Sequence, residues 1–190
     1  YANAACDIEF QFPFGFKELE GIHSRTDYDL SRHEEFSGRK LRYFDPETNE
    51  SYIPYVVETS IGLDRTFLAV LSASYREEEL EDGETRVVLR LPHILAPVKL
   101  GIFPLVKKDG LPEVAQQILK TLRLEHACLY DEKDSIGKRY RRMDAIGTPL
   151  CITVDHQTLE DNTVTIRDRD TMLQERVPVD NLPGILDEKL

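Results

Sequence analysis

The stretch Val56–Leu71, which reads VVETSIGLDRTFLAVL, constrains the fold more than any other part of the sequence. Residues 55–57 are aromatic or β-branched, as expected of a buried β-strand. Gly62 allows the backbone to turn closely. After Asp64, apolar side chains recur at helical spacing, at Phe67, Leu68, Leu71 and Tyr75. The stretch therefore predicts a strand that passes through a short turn into a helix.

Two charged side chains stand at this junction: Glu58 near the end of the strand and Arg65 in the first helical turn. A helix N-terminus attracts anions, because its first amide groups are unpaired and the helix dipole is positive there. The guanidinium of Arg65 can bond phosphate or stack on a base, and Glu58 can hold Mg²⁺ or an ammonium group. The alternative is a surface ion pair at the start of an ordinary helix.

Composition limits the class of protein. A chain of 190 residues holds one or two domains, and 41% apolar with 31% charged residues is typical of a soluble globular protein. No run of eighteen apolar residues is present, which argues against a membrane span. The 3 cysteines are far apart and form no CxxC pair, so we expect a reducing, cytoplasmic location without disulfides or a cysteine zinc site. The chain starts without Met inside a strand-like pattern, and we expect a segment of a longer protein.

Charge is distributed unevenly along the chain. The net charge of −11 argues against indiscriminate binding to nucleic acid, DNA included. Residues 1–91 carry 10 Lys and Arg against 19 Asp and Glu, whereas residues 92–190 carry 14 against 16. The second half therefore has room for a local RNA-facing patch.

The first half reads as strands and two helices. Ile8, Phe10 and Phe12 alternate in one strand, and Phe16–Ile22 forms the next, with Glu18 and Glu20 expected on one face. These two carboxylates are either substrate ligands or solvated strand residues. A helix follows Asp27, with Asp29 or Ser31 as its cap, and ends at Gly38. The later helix from Asp64 is expected to run to about Glu79, followed by a solvated acidic run to Glu84. We place a domain boundary near residue 91.

Residues 92–190 alternate between strand and helix patterns. Strands are expected at 98–106, 127–130, 150–154, 163–167 and 172–177, with helices after Pro112, at 136–145 and at 179–190. This order predicts an α/β domain with a mixed five-stranded sheet flanked by helices, which follows an antiparallel sheet in residues 1–91.

Basic residues concentrate in the second half. The run Lys138–Arg142, KRYRR, places four positive charges and a tyrosine on one helix. Arginine and aromatic side chains are the groups that bind phosphates and stack on bases of single-stranded RNA; the alternative is a solvated helix face. The candidate RNA-binding residues are Lys107, Lys108, Lys138, Arg139, Arg141, Arg142, Arg167 and Arg169.

Several motifs resemble one enzyme family. ETSIGLDR and the helix after it resemble motif 3 of class II aminoacyl-tRNA synthetases, in the glycyl form, although Thr59 stands where that family usually has proline. FPFGFKELEGIHSRTDYDLSRHEEFSG resembles the segment before motif 3. LAPVKLGIFPLVKKDGLPEVAQQILKTL, SIGKRYRRMDAIGTP and TVTIRDRDTMLQERV resemble the anticodon-binding domain of the same family.

The resemblance implies the C-terminal part of an ATP-dependent glycine–tRNA ligase. It assigns residues 1–91 to the catalytic domain, with motif 3 at 55–71, and residues 92–190 to anticodon recognition on tRNA(Gly). It implies that ATP is bound by Glu58 and Arg65, with Mg²⁺ near Glu58. The implied glycine-binding residues are Ser60, Glu18 and Glu20, with Arg25 and Asp27 at the pocket border.

The family also implies a homodimer of the full-length enzyme. Motifs 1 and 2 lie before Tyr1 in the family, so this segment alone is expected not to catalyse adenylation. One alternative is a non-catalytic tRNA- or RNA-binding accessory module, which would not need Glu58, Ser60 and Arg65. Another is an unrelated α/β enzyme using Glu18, Glu20 and Glu58, which requires a complete pocket within this chain.

Overall fold

The fold is described from a computed structural model, which covers residues 1–80 and 83–190; Glu81 and Asp82, in the acidic run, lie outside the described residues. The chain divides into two compact units, Tyr1–Ser72 and Ala73–Leu190. The functional boundary near residue 91 stays a prediction, because compactness alone does not show where a functional domain begins. Within the described ranges, no helix has the length and apolar content to cross a bilayer.

The first unit is built on an antiparallel three-stranded sheet in the order β1-β2-β5. Its elements are β1 (Ala4–Phe12), β2 (Gly15–Ser24), α1 (Tyr28–Ser37), β3 (Tyr43–Asp45), β4 (Glu50–Tyr52), β5 (Val57–Ile61) and the greater part of α2 (Leu63–Ser74). Gly62 alone separates β5 from α2, so the predicted strand-to-helix junction is confirmed. The expected burial is not: Tyr55 and Val57 are both mostly exposed.

Helix α1 confirms one predicted boundary and corrects another. Gly38 follows it in the left-handed conformation at φ 67° and ends it as expected. Neither Asp29 nor Ser31 caps it, because the helix begins one residue after Asp27 and has no side-chain cap. Asp29 instead forms an ion pair with Arg25, and the Ser31 hydroxyl donates to the Asp27 carboxylate.

The prediction that the helix from Asp64 reaches Glu79 is wrong. Helix α2 ends at Ser74, and the next residues form β6 (Tyr75–Glu79), which pairs antiparallel with β7 (Thr85–Leu89). The acidic run is also not fully solvated, since Glu78 accepts hydrogen bonds from the buried Arg86 at 2.6 and 2.8 Å. Pairing across this hairpin, which no local pattern indicates, overrides the helical propensity.

The second unit confirms the predicted mixed five-stranded sheet, in the order β12-β11-β10-β8-β9. Its remaining elements are a 3₁₀ turn (His93–Leu95), β8 (Leu100–Pro104), α3 (Leu111–Leu122), β9 (Cys128–Tyr130), α4 (Ile136–Ile146), β10 (Leu150–Val154), α5 (His156–Asp161), β11 (Thr163–Asp168), β12 (Gln174–Pro178), a 3₁₀ turn (Val179–Asn181) and α6 (Leu182–Lys189). Strand β8 runs parallel to β9 and β10, whereas β11 runs antiparallel to both its neighbours. Helix α5 was not predicted.

Helix α3 shows how the core of this unit forms. Its buried residues follow helical spacing, at Leu111, Ala115, Ile118 and Leu122. They pack in one apolar cluster with the fully buried strands β8 and β10. Burying each large aliphatic side chain contributes about 1.5–3 kcal/mol.

The three parallel strands β8, β9 and β10 end at the same side of the sheet. We call the segments that leave these ends, residues 105–110, 131–135 and 155–156, the carboxyl edge. In open α/β sheets, ligands bind beyond the carboxyl ends of parallel strands. The carboxyl edge is therefore the place in this unit to search for a binding surface.

The cysteines differ in reactivity because they differ in burial. Burial raises the pKa of Cys151 to about 12 and that of Cys128 to about 11, since an apolar surrounding disfavours the thiolate. Cys6 is exposed. At pH 8 we expect a disulfide-exchange reagent to modify one thiol rapidly in the folded chain and all three in denaturant. Cys6→Ser should abolish the rapid phase, and two rapid thiols would contradict the assignment.

Candidate functional site

One face of the first unit's sheet collects the polar residues that the sequence analysis singled out. Ser60 lies opposite Gly21, and Glu58 lies opposite His23. Directly opposed residues share a face in an antiparallel pair, so Glu58 and Ser60 project from the same side. We call this side the polar face; its members are Asp7, Glu9, Glu18, Gly21, His23, Glu58 and Ser60.

The expectation that Glu18 and Glu20 share a face is wrong. The β1–β2 register shifts between Ile8 and Glu9, so Ile8 opposes Glu20 whereas Glu9 opposes Glu18. Neighbouring residues of β1 point to opposite faces. Glu18 therefore belongs to the polar face, while Glu20 lies on the other face, with Ile8 and Ile61.

Gly21 leaves room on the polar face for the ring of His23. A Cβ atom at this position would lie 2.9 Å from Cε1 of His23 and 3.7 Å from Oδ1 of Asp7. Any side chain at position 21 would therefore clash with the imidazole of His23, which packs over the glycine.

Arg25 organises the carboxylates at one end of the polar face. Its Nη1 donates to Oε2 of Glu58 at 2.7 Å, and its Nη2 donates to Oδ1 of Asp29 at 2.8 Å. The hydrogen bond from Arg25 lowers the pKa of Asp29 and keeps that carboxylate ionised. The sequence analysis named Arg25 and Asp27 but not Asp29, which it had assigned to a helix cap.

Arg65 lies beside Glu18. Its Nη1 donates to the main-chain carbonyl of Glu18 at 2.7 Å and is 4.0 Å from the Glu18 carboxylate. A cavity of about 270 Å³ next to it is lined by Phe12, Phe14, Lys17, Arg65 and Leu68. Two cations and an exposed aromatic ring are suited to a phosphate and a base. Lys17 and Phe14 were missed by the sequence analysis, which read them only as part of a strand and turn.

The residues present suit Mg²⁺ only in part. Among the described residues, no three His, Cys, Asp or Glu side chains converge to hold a metal ion. Arg25 occupies Oε2 of Glu58, which leaves one carboxylate oxygen for a cation. Mg²⁺ is commonly held by one or two carboxylates together with substrate phosphates and water. Glu58 can therefore contribute one ligand to a nucleotide-bound ion and cannot form a site by itself.

Exposed cations lie at the carboxyl edge of the second unit. Lys107 and Lys108 are both exposed, and their nearest carboxylates, on Glu132 and Asp109, are 3.9 and 3.8 Å away. Exposed pairs of this kind contribute little, so both lysines remain available to an anionic partner. Lys138, in the first turns of α4, is also exposed.

Three of the predicted RNA-binding arginines are corrected by their burial. Arg139 is 2% exposed, Arg167 3% and Arg169 2%. Arg169 donates to the carbonyls of Gly147 and Leu91 and to Asp170. Their guanidinium groups are used inside the second unit, and so they hold its structure rather than contact RNA.

Asp144 is the centre of a buried charge cluster that the sequence analysis did not foresee. The Asp144 side chain is 0% exposed and accepts from Arg167 at 2.8 and 3.0 Å and from Arg86 of β7 at 3.1 Å. Arg167 also lies over the ring of Tyr140, 4.8 Å from its centroid. We call Asp144, Arg86 and Arg167 the Asp144 cluster.

Arg141 and Arg142 keep part of their side chains in solvent. Arg141 is 3.6 Å from the Asp144 carboxylate. Arg142 forms ion pairs with Asp131 at 2.6 Å and with Asp134 at 3.0 Å, both in a carboxyl-edge loop. Of the eight RNA-binding candidates, the structure thus leaves five with accessible charge: Lys107, Lys108, Lys138, Arg141 and Arg142.

Comparison with known proteins finds matches that cover both units. The anticodon binding domain family matches residues 99–189. The glycine–tRNA ligase of Chlorobaculum tepidum is 55% identical over the whole chain, and that of Geobacillus kaustophilus is 53% identical. The chain spans about two fifths of their length, 40% and 41%.

A solved structure shares the fold. Prolyl-tRNA synthetase from Giardia lamblia, solved in complex with prolyl-adenylate, aligns with 99% of this chain and 40% of its own at a TM-score of 0.63. Its sequence identity to this chain is 21%. At that identity the likeness concerns the fold alone.

Proposed function

Because this chain belongs to the glycine–tRNA ligase family and corresponds to the C-terminal part of its members, we propose that it supplies motif 3 and the anticodon-binding surface of such an enzyme. The full-length enzyme activates glycine with ATP, releases pyrophosphate, and transfers the glycyl group to tRNA(Gly). Cytoplasmic location and homodimerisation of the full-length enzyme belong to the same proposal. The three free cysteines fit a reducing compartment.

The observation that carries this proposal is the presence of both sets of groups in one chain. Glu58 and Ser60 stand on the polar face of the first unit, Arg65 bonds the main-chain carbonyl of Glu18 in the same sheet, and the second unit carries the anticodon-binding fold. An accessory module that only binds RNA has no need of the first set. The third hypothesis, an unrelated enzyme using Glu18, Glu20 and Glu58, is disfavoured because Glu20 lies on the opposite face from the other two.

The residues of the first unit have separate roles in this proposal. Arg65 binds the nucleotide, by stacking on its base or bonding its phosphates. Ser60 and Glu18 hold the glycine ammonium group, with Glu58 at the nucleotide and its Mg²⁺ ion. The carboxylate of glycine then attacks the α-phosphorus, and pyrophosphate leaves. Such chemistry depends on positioning and charge neutralisation, which is what fixed carboxylates and a guanidinium provide.

The carboxyl edge is the proposed tRNA surface. Lys107, Lys108 and Lys138 neutralise phosphates, Arg141 offers a planar group for stacking or base-edge hydrogen bonds, and Arg142 offers the exposed part of its guanidinium for stacking. The surrounding carboxylates, on Asp109, Asp131 and Glu132, limit nonspecific attraction of nucleic acid. This mixture of charges suits a selective contact more than a general polyanion site.

The test is binding of this chain to tRNA(Gly) and to the same tRNA with anticodon positions two and three replaced, at fixed moderate salt. We expect at least tenfold weaker binding to the altered tRNA, because base-edge hydrogen bonds contribute about 1–3 kcal/mol each. Lys107→Ala with Lys108→Ala should weaken binding to both tRNAs and flatten the salt dependence.

The matched control removes two charges elsewhere. Lys120 and Arg123, also exposed, lie at the end of α3, which leads away from the carboxyl edge. Lys120→Ala with Arg123→Ala should leave both affinities within about twofold. Equal binding of the wild type to both tRNAs, lost with added salt, would instead support nonspecific phosphate contacts.

A further inference from the structure

Arg139 is held differently from the other buried arginines of the second unit. Arg167 bonds the Asp144 carboxylate and Arg169 bonds that of Asp170. Arg139 donates instead to four main-chain carbonyls, those of Pro104, Glu132, Lys133 and Asp134. Among the ion pairs of the described residues, none includes Arg139. Its guanidinium therefore satisfies backbone groups rather than a counter-charge.

Three of these four carbonyls lie on the carboxyl edge, and the fourth, that of Pro104, immediately precedes it. Pro104 is the last residue of β8, just before the loop with Lys107 and Lys108, and Glu132, Lys133 and Asp134 form the loop between β9 and α4. The side chain of Arg139 thus connects the end of β8 to the loop between β9 and α4 through hydrogen bonds to both segments. A planar fork with donors in fixed directions is required to reach carbonyls on two segments at once.

The loop that Arg139 holds contains a residue with an uncommon backbone conformation. Asp134 has φ +66°, which is uncommon for a residue with a side chain. Arg139 Nη2 bonds the carbonyl of this same residue at 2.8 Å. From the outside, Arg142 bonds the Asp131 and Asp134 carboxylates and the carbonyl of Lys133. The loop is fixed on both sides by arginines one helical turn apart.

We propose that Arg139 is a positioning residue for tRNA binding: it fixes the loop 131–135 against the end of β8, so that the carboxyl edge is preformed for the anticodon. It does not contact RNA itself. This inference rests on the proposed function, because it assigns the tRNA surface to the carboxyl edge. A preformed surface binds more tightly, since the loop need not be ordered on association.

The closing experiment compares Arg139→Lys with Arg167→Lys. The two arginines are equally buried, and both changes keep the positive charge while removing the planar fork. For Arg139→Lys we expect at least tenfold faster hydrogen exchange of the amides in loop 131–135, about tenfold weaker binding to tRNA(Gly), and a smaller difference between tRNA(Gly) and the anticodon-altered tRNA. We expect both variants to lower the melting temperature by similar amounts. For Arg167→Lys, loop exchange and both tRNA affinities should stay within twofold of wild type.

The outcomes separate the two proposals. If the wild type discriminates between the tRNAs but Arg139→Lys leaves loop exchange or discrimination unchanged, the positioning role is overturned and the proposed function stands. The same holds if Arg167→Lys weakens discrimination equally, since general destabilisation would then explain both variants. If the wild type itself does not discriminate, the proposed function fails, and the positioning role fails with it.

Discussion

Replacing Asp144 with alanine is expected to lower the free energy of unfolding by about 3–5 kcal/mol, because it leaves two buried guanidinium groups without their shared carboxylate. Asp144 is 0% exposed and accepts from Arg167 at 2.8 Å and from Arg86 at 3.1 Å. Asp144→Asn should be strongly destabilising as well, because it removes the charge and replaces one acceptor oxygen with an NH₂ donor that faces a guanidinium group. Urea unfolding of the 190-residue chain measures both variants.

Asp187 provides the matched control. It also lies on a helix, α6, but its side chain is exposed, so Asp187→Ala should change the free energy of unfolding by less than about 0.5 kcal/mol. A loss for Asp144→Ala as small as that of the control would show that the Asp144 cluster does not stabilise the second unit.

On the proposed function, replacing Arg65 with alanine in the full-length protein is expected to reduce glycine-dependent ATP–pyrophosphate exchange by about 100-fold or more, while tRNA affinity stays unchanged. Loss of one preorganised donor to a developing phosphate charge costs about 2.7–4 kcal/mol. The side chain is 55% exposed and stands beside Glu18 at the start of α2, so its loss should not unfold the first unit.

Arg32 is the control for this substitution. Its side chain is 54% exposed and also faces a glutamate, Glu35, at 2.9 Å on α1. Arg32→Ala removes the same group from an equally exposed position and should leave exchange within about twofold. Exchange by Arg65→Ala within threefold of wild type would remove Arg65 from the nucleotide site.

Local patterns were sufficient where one segment determines its own structure. The junction at Gly62, the left-handed Gly38 and the β/α order of the second unit all follow from spacing and turn residues within a short window. The face of Glu20 does not, because a one-residue shift in the register of two strands reverses it. Nothing in the sequence around Glu18 and Glu20 signals that shift.

The basic run of α4 illustrates the same limit in the candidate site. Ile136, Tyr140 and Met143 follow helical spacing and mark the buried side of the helix. The inward orientation of Arg139 could therefore have been predicted from the sequence. Its acceptors were not, because they lie on segments that only the folded sheet brings together. Asp144 was likewise treated as one acid among basic residues, since its partner Arg86 is 58 positions away in sequence.

The hairpin β6–β7 changes how this region can be exchanged between proteins. Arg86 reaches from β7 into the Asp144 cluster, and the carbonyl of Arg169 accepts from it at 2.8 Å. A graft that starts at residue 92, where the anticodon-binding pattern begins, would transplant Asp144 without one of its two closest cations. A graft that starts at Tyr75 carries both cations, Arg86 and Arg167. The segment that can be transferred without breaking the Asp144 cluster is therefore longer than the segment that resembles an anticodon-binding domain.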